Sequence, residues 1–167
     1  MRPAVGVLME LVALSFVLAA SAVVPAGLLL GLYIVFAEFL ATYLVHCPAH
    51  YLVGTLAGIR FRKVRSSRST LGRTLPPRFT SIASFFPVLT LSTDRGTMRV
   101  VSRSRRALMY EAGTVASVSA ALIISAVATF AEPLVYAALA WVVAVAYLGF
   151  DIKFSPKSGD FARARAA

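Results

Sequence analysis

This chain of 167 residues is 59% apolar and only 14% charged, a balance that excludes an ordinary soluble globular domain. Its single cysteine, Cys47, excludes an intramolecular disulfide framework. The net charge of +10 would suggest nucleic acid in a soluble protein, but here the cations are separate from the apolar runs. We therefore expect them to set the orientation in a membrane and to contact anionic lipid headgroups, and we expect no nucleic-acid partner.

Four apolar runs follow one another along the chain, each long enough to cross the hydrocarbon core of a bilayer. They cover residues 4–24, 27–57, 108–131 and 133–150. The first is interpreted as a retained helix, because no small-residue cleavage site clearly ends it. The sequence thus predicts an all-α integral membrane protein with about four transmembrane helices, forming a single membrane domain over residues 1–167.

The placement of Lys and Arg predicts the orientation. Of these 17 residues, one is Arg2, twelve lie between positions 60 and 106, and four lie from Lys153 onward. With four spans, all of them fall on one side of the membrane, whereas three or five spans would separate the tail from the loop. By the positive-inside rule, we expect a cell-membrane protein with its basic loop and both termini in the cytoplasm.

The polar loop of residues 58–107 contains short strand-like runs. Residues 88–91 and 98–101 flank a turn-like stretch at 93–96, which predicts a small β-hairpin. Residues 59–64 alternate in part and are a candidate for another strand. The apolar island at 79–91 is too short for a straight span, so we expect a buried loop segment or one that dips into the membrane.

Ionisable residues inside predicted spans are costly and point to function. His46 and His50 stand four apart, so on a helix two imidazoles can converge on one ion. The plain alternative is that both histidines hydrogen-bond to neighbouring helices or lie beside the cytoplasmic interface. Glu10 is expected near Arg2 as an interfacial ion-pair partner, and Glu38 is too far along the helix to act on water held by the His pair. For Glu111, which heads the third span, an ion pair with an arginine such as Arg106 is expected, and the alternative is that it reaches the histidine site from its neighbouring helix.

Three segments in order resemble the site-2 protease family of intramembrane zinc metalloproteases. The stretch from His46-Cys-Pro-Ala-His50 to Gly58-Ile-Arg-Phe61 resembles the family's H-E-x-x-H helix and the G-I-[RK] run that follows it. The segment 108–117 looks like the A-G-P-x-x-N span, and the segment 150–160 looks like the closing N-x-x-P-x-x-x-x-D-G motif. The resemblance implies zinc held by His46, His50 and Asp160. By helical depth alone Asp151 is the competing third ligand, unless Pro156 and Gly159 fold Asp160 back.

The departures from the family pattern bear on activity. Cys47 stands at the position of the family's glutamate, the general base that takes a proton from zinc-bound water. A neutral thiol is a poor base, and a thiolate would itself bind zinc. Pro48 lies inside the same motif, so we expect a kink there.

Three functions are therefore considered. The first is a metal-binding, non-proteolytic relative of these proteases that engages a transmembrane segment. The second is an active intramembrane zinc metalloprotease with a relocated base. The third is a metal-free membrane scaffold or complex subunit whose loop contacts lipid.

Overall fold

The computed structural model describes residues 1–68, 87–131 and 133–167. Two long helices come first, α1 (Pro3–Ala20) and α2 (Leu28–Leu56), followed by the strands β1 (Phe61–Arg68) and β2 (Pro87–Thr93). A short helix α3 (Arg95–Val100) leads into the long helices α4 (Arg103–Ala131) and α5 (Leu134–Ser158), and α6 (Asp160–Ala166) ends the chain. The four long helices are apolar and long enough to cross a membrane, and the strands form one small antiparallel sheet.

Local chemistry sets several of the element boundaries. Pro3 opens α1, where its missing N–H and fixed φ are favourable. Gly58 follows the end of α2 with a φ of +87°, a conformation that glycine adopts at little cost. The α2 helix runs through Pro48 as one element. At the other end of the chain, α5 continues through Pro156 and stops at Gly159.

The helix α2 lies at the centre of the bundle. It packs most extensively against α4 and also contacts α1, α5 and β2. Small buried residues, including Ala121, Ala140 and Ala144, line the interfaces and let the helices approach closely. One apolar cluster forms around Ile34, and another, around Ile59 and Met109, lies at the end that carries the sheet.

The predicted hairpin has a different strand pairing. Residues 98–101 do not form its second strand, because residues 95–100 are helical and Asp94 caps that helix by accepting a hydrogen bond from the Thr97 N–H. Instead, β2 pairs with β1, the run considered only as an additional strand, with Val64 opposite Leu91. Residues 79–86 of the apolar island lie outside the described part of the chain, and residues 87–91 belong to β2.

The sheet is attached to the first two helices. The Val64 N–H donates to the Met1 carbonyl, and Gly6 packs directly against the Val64 side chain. On the β2 side, the hydroxyl of Tyr43 hydrogen-bonds to the backbone of Leu89. These contacts fix the start of α1 and the middle of α2 relative to the sheet.

Candidate metal centre

The two histidines of α2 point toward the same place. Their rings meet edge to face, with centroids 4.8 Å apart, and the two Nε2 atoms are 3.2 Å apart. His46 and His50 are separated by one helical turn, so this convergence follows directly from their spacing.

An acid from the last helix meets the histidine pair. Asp160 is the first residue of α6, directly after the helix break at Gly159. Its Oδ2 lies 3.1 Å from His46 Nε2 and 3.2 Å from His50 Nε2. The residue is 7% exposed, and Thr114 Oγ1 donates to the same oxygen at 3.4 Å. The break at Gly159 therefore returns Asp160 to the bundle, as the sequence suggested, although the helix does not break at Pro156.

The hydrogen bonds on the far side of each ring define its tautomer. His50 Nδ1 lies 2.7 Å from the Met109 carbonyl, which can only accept, so the proton is on Nδ1. His46 Nδ1 lies 3.1 Å from Ser117 Oγ. Since Ser117 already donates its hydroxyl proton to the Thr42 carbonyl at 2.7 Å, it must accept from His46 Nδ1. In neutral imidazoles both Nε2 atoms then carry lone pairs.

Three lone-pair atoms thus face one another: two Nε2 atoms and one carboxylate oxygen. When both imidazoles are neutral, this arrangement is repulsive without a shared cation, whereas a proton on either Nε2 makes the contact with Asp160 an ion pair. Engaged Nδ1–H groups with Nε2 atoms turned toward one point are typical of histidines that bind metals. The three atoms lie 3.1–3.2 Å from one another, close enough to be ligands of a single ion. His46, His50 and Asp160 could therefore hold a metal ion.

Close packing holds His50 in this position. Gly113 of α4 faces the imidazole, and a Cβ atom there would come within 2.2 Å of His50 Nε2. The absence of a side chain at this position is thus a requirement for the His50 orientation. The side chain of His46 is more accessible, at 34% exposed, against 16% for His50.

The prediction for Glu10 is wrong. Instead of pairing with Arg2 at the surface, Glu10 is 4% exposed and its carboxyl hydrogen-bonds to the buried thiol of Cys47. The other carboxyl oxygen, Oε2, has no hydrogen-bond partner among the described residues. A glutamate from α1 therefore lies beside the position where the protease motif carries its own glutamate.

The remaining acids lie outside the three-residue group. Asp151 interacts electrostatically with His46 and Asp160 but does not belong to the group of converging ligand atoms. Glu38 is fully buried, and its carboxyl interacts with the side chain of Ser125, away from the three-residue group. The expected arginine partner of Glu111 is not seen at Arg106, which donates to the Met98 carbonyl.

Sequence reasoning missed the residues that hydrogen-bond to the three-residue group. Thr114 and Ser117 are two of several hydroxyl residues along α4, which also carries Ser119, Ser125 and Thr129, so the sequence does not single them out. The Met109 carbonyl gives no signal in a sequence, and neither does the contact of Glu10 with Cys47.

Comparisons with known protein families, curated proteins and solved structures find no match for this chain.

Proposed function

We propose that this chain is a multi-pass membrane protein of site-2-protease-like arrangement that binds a zinc ion and engages a transmembrane segment without cleaving it. The observation that carries the metal-binding part is the convergence of His46 Nε2, His50 Nε2 and Asp160 Oδ2, with both Nδ1 atoms already engaged. Two histidines and a carboxylate are a ligand set that zinc favours.

Each residue of the centre has a distinct task in this proposal. His46, His50 and Asp160 hold the ion, which when bound supplies a Lewis acid inside the bundle. Ser117 and the Met109 carbonyl fix the tautomer and orientation of the two rings. Gly113 leaves the space that the His50 ring occupies.

The absence of peptide hydrolysis is proposed from the chemistry at position 47. Cys47 is 3% exposed, and its thiol is engaged by Glu10 rather than directed at an exchangeable water. A buried neutral thiol is a poor general base. The centre would then bind metal and partner without the proton transfer that hydrolysis needs.

The membrane placement and the partner segment complete the proposal. With four spans, all Lys and Arg residues fall on the same side of the membrane. This distribution supports cytoplasmic termini and a cytoplasmic sheet in contact with anionic lipid. A groove of about 490 Å³ between α1, α2 and α4 is lined almost entirely by aliphatic side chains, which suits an apolar segment. That the bound segment is a transmembrane one is inferred only from the resemblance to the site-2 protease family.

The metal content of detergent-purified protein tests the proposal. We expect about one zinc per chain in the wild type and none in a His46→Ala, His50→Ala double variant with the same helical content. The matched control is Glu38→Gln, which changes a buried acid of the same helix away from the centre and should keep the metal. Equal, negligible metal in all three would contradict the proposal and favour the metal-free scaffold.

An active intramembrane metalloprotease is the second candidate, because the Glu10 carboxyl lies against Cys47 and is placed to substitute for the missing base. This candidate predicts cleavage of a single-span substrate that is lost in Glu10→Gln while the bound metal is retained. Absence of cleavage in the metal-loaded wild type, or cleavage that survives Glu10→Gln, would rule out this role.

A further inference from the structure

Asp151 of α5 is a second carboxylate near the candidate centre with an unused oxygen. Its Oδ2 is buried and has no hydrogen-bond partner among the described residues. The Asp151 carboxylate interacts electrostatically with both His46 and Asp160, and Tyr147, one turn earlier on the same helix, interacts with both acids. A buried carboxylate oxygen without a partner is costly, so it calls for a physical explanation.

The charge of the cluster supplies one. Two carboxylates close together in an apolar interior disfavour each other's charged form. Imidazoles that are neutral do not balance the negative charge of the two carboxylates. The guanidinium of Arg163 lies 3.9 Å from Asp160 Oδ1, but the Arg163 side chain is largely exposed. A single divalent cation would bring two carboxylates and two imidazoles to zero net charge, the favourable state away from water.

We propose that Asp151 is the fourth protein ligand of the metal centre, closing it as a site of two histidines and two aspartates. The inference rests on the proposed function, because it needs the ion held by His46, His50 and Asp160. Asp151 lies outside the three converging atoms, so its side chain must turn toward them when the ion binds. Since its Oδ2 makes no hydrogen bond to protein, this turn breaks none there.

A fourth protein ligand has a functional consequence. Zinc sites with four protein ligands are structural, whereas catalytic sites keep one position for water or substrate. If Asp151 occupies the fourth position, no water binds the ion and no general base is needed, which would explain why Cys47 can stand at the position of the family's glutamate. In this account the ion ties α2 to the junction of α5 and α6, and its removal would loosen that junction.

Cobalt loading with a small competing anion tests the assignment. Purified wild type, Asp151→Ala and Asp151→Glu are titrated with Co²⁺, and visible absorption is recorded before and after azide is added. We expect a four-coordinate Co²⁺ spectrum in the wild type that azide leaves unchanged. Asp151→Ala should bind Co²⁺ at least about tenfold more weakly and respond to azide, while Asp151→Glu should restore much of the affinity and the resistance to azide.

Each other outcome has a defined meaning. If azide changes the wild-type spectrum and Asp151→Ala binds Co²⁺ as tightly as the wild type, the fourth position is open and the assignment of Asp151 is wrong. If the wild type does not bind Co²⁺ at all, the metal centre itself fails, and Asp151 falls with it. Glu38→Gln is the control for loss of a buried acid, and circular dichroism confirms that every variant is folded.

Discussion

The Ser117→Ala substitution removes a hydrogen bond to His46 without changing any of the three side chains of the candidate metal centre. In the structure, Ser117 accepts from His46 Nδ1 at 3.1 Å and donates to the Thr42 carbonyl at 2.7 Å. Removing the hydroxyl leaves His46 free to rotate or to change tautomer. Loss of such a ligand-orienting partner typically weakens metal binding 10–100-fold, which is about 1.4–2.8 kcal/mol. The fold should lose only about 1 kcal/mol for the missing hydrogen bond.

The chain offers a closely matched control. Ser125 lies two turns further along α4, is equally buried, and faces Glu38 instead of the candidate metal centre. Zinc dissociation constants, measured by competition with a chromogenic chelator, should therefore rise in Ser117→Ala and stay unchanged in Ser125→Ala. In a His46→Ala background, Ser117→Ala should have no further effect. Equal losses in the two serine variants would refute the proposed orienting role.

Two further predictions concern the helix facing His50 and the loop next to the sheet. Gly113→Ala should abolish tight metal binding, because the new methyl group would overlap the His50 ring. Gly149 faces open space, so Gly149→Ala is the control and should bind metal normally in the same titration. At Asp94, the Thr97 N–H and an arginine guanidinium hold the pKa below its usual range. The stabilisation by this carboxylate is thus present above the unfolded pKa of ~3.9 and lost as pH falls through the lower folded pKa. The protection factor of the Thr97 amide, which is the intrinsic exchange rate at each pH divided by the observed rate, should accordingly fall in acid in the wild type. Asp94→Asn should flatten that dependence, and a wild-type protection factor that is equal at all pH values would contradict this.

The helices could be predicted from the sequence because their signal is strong and local. Four long apolar runs predict four long helices, because a helix satisfies its own backbone hydrogen bonds in apolar surroundings. The strand pairing could not be predicted in the same way. Residues 95–100 were expected to include turn and strand, but Asp94 caps a helix there, and β2 selects a partner more than twenty residues away, at Val64 and its neighbours.

The convergence of the two imidazoles could be predicted from the spacing of His46 and His50, which are one helical turn apart. Asp160 followed only from the order of the motifs, because its position depends on how far the chain folds back after Gly159. The contacts of Glu10 and Ser117 depend on how α1 and α4 dock against α2. Such docking is decided by the fit of small side chains across the interfaces, which no single run of residues encodes.

X-ray absorption at the zinc edge tests the central claim most directly. Purified, zinc-loaded protein should show only nitrogen and oxygen neighbours at ~2.0–2.1 Å, with the outer-shell pattern of two imidazoles, because His46, His50 and Asp160 converge while Cys47 is engaged by Glu10. A sulfur neighbour at ~2.3 Å, or a spectrum without imidazole scattering, would contradict the account.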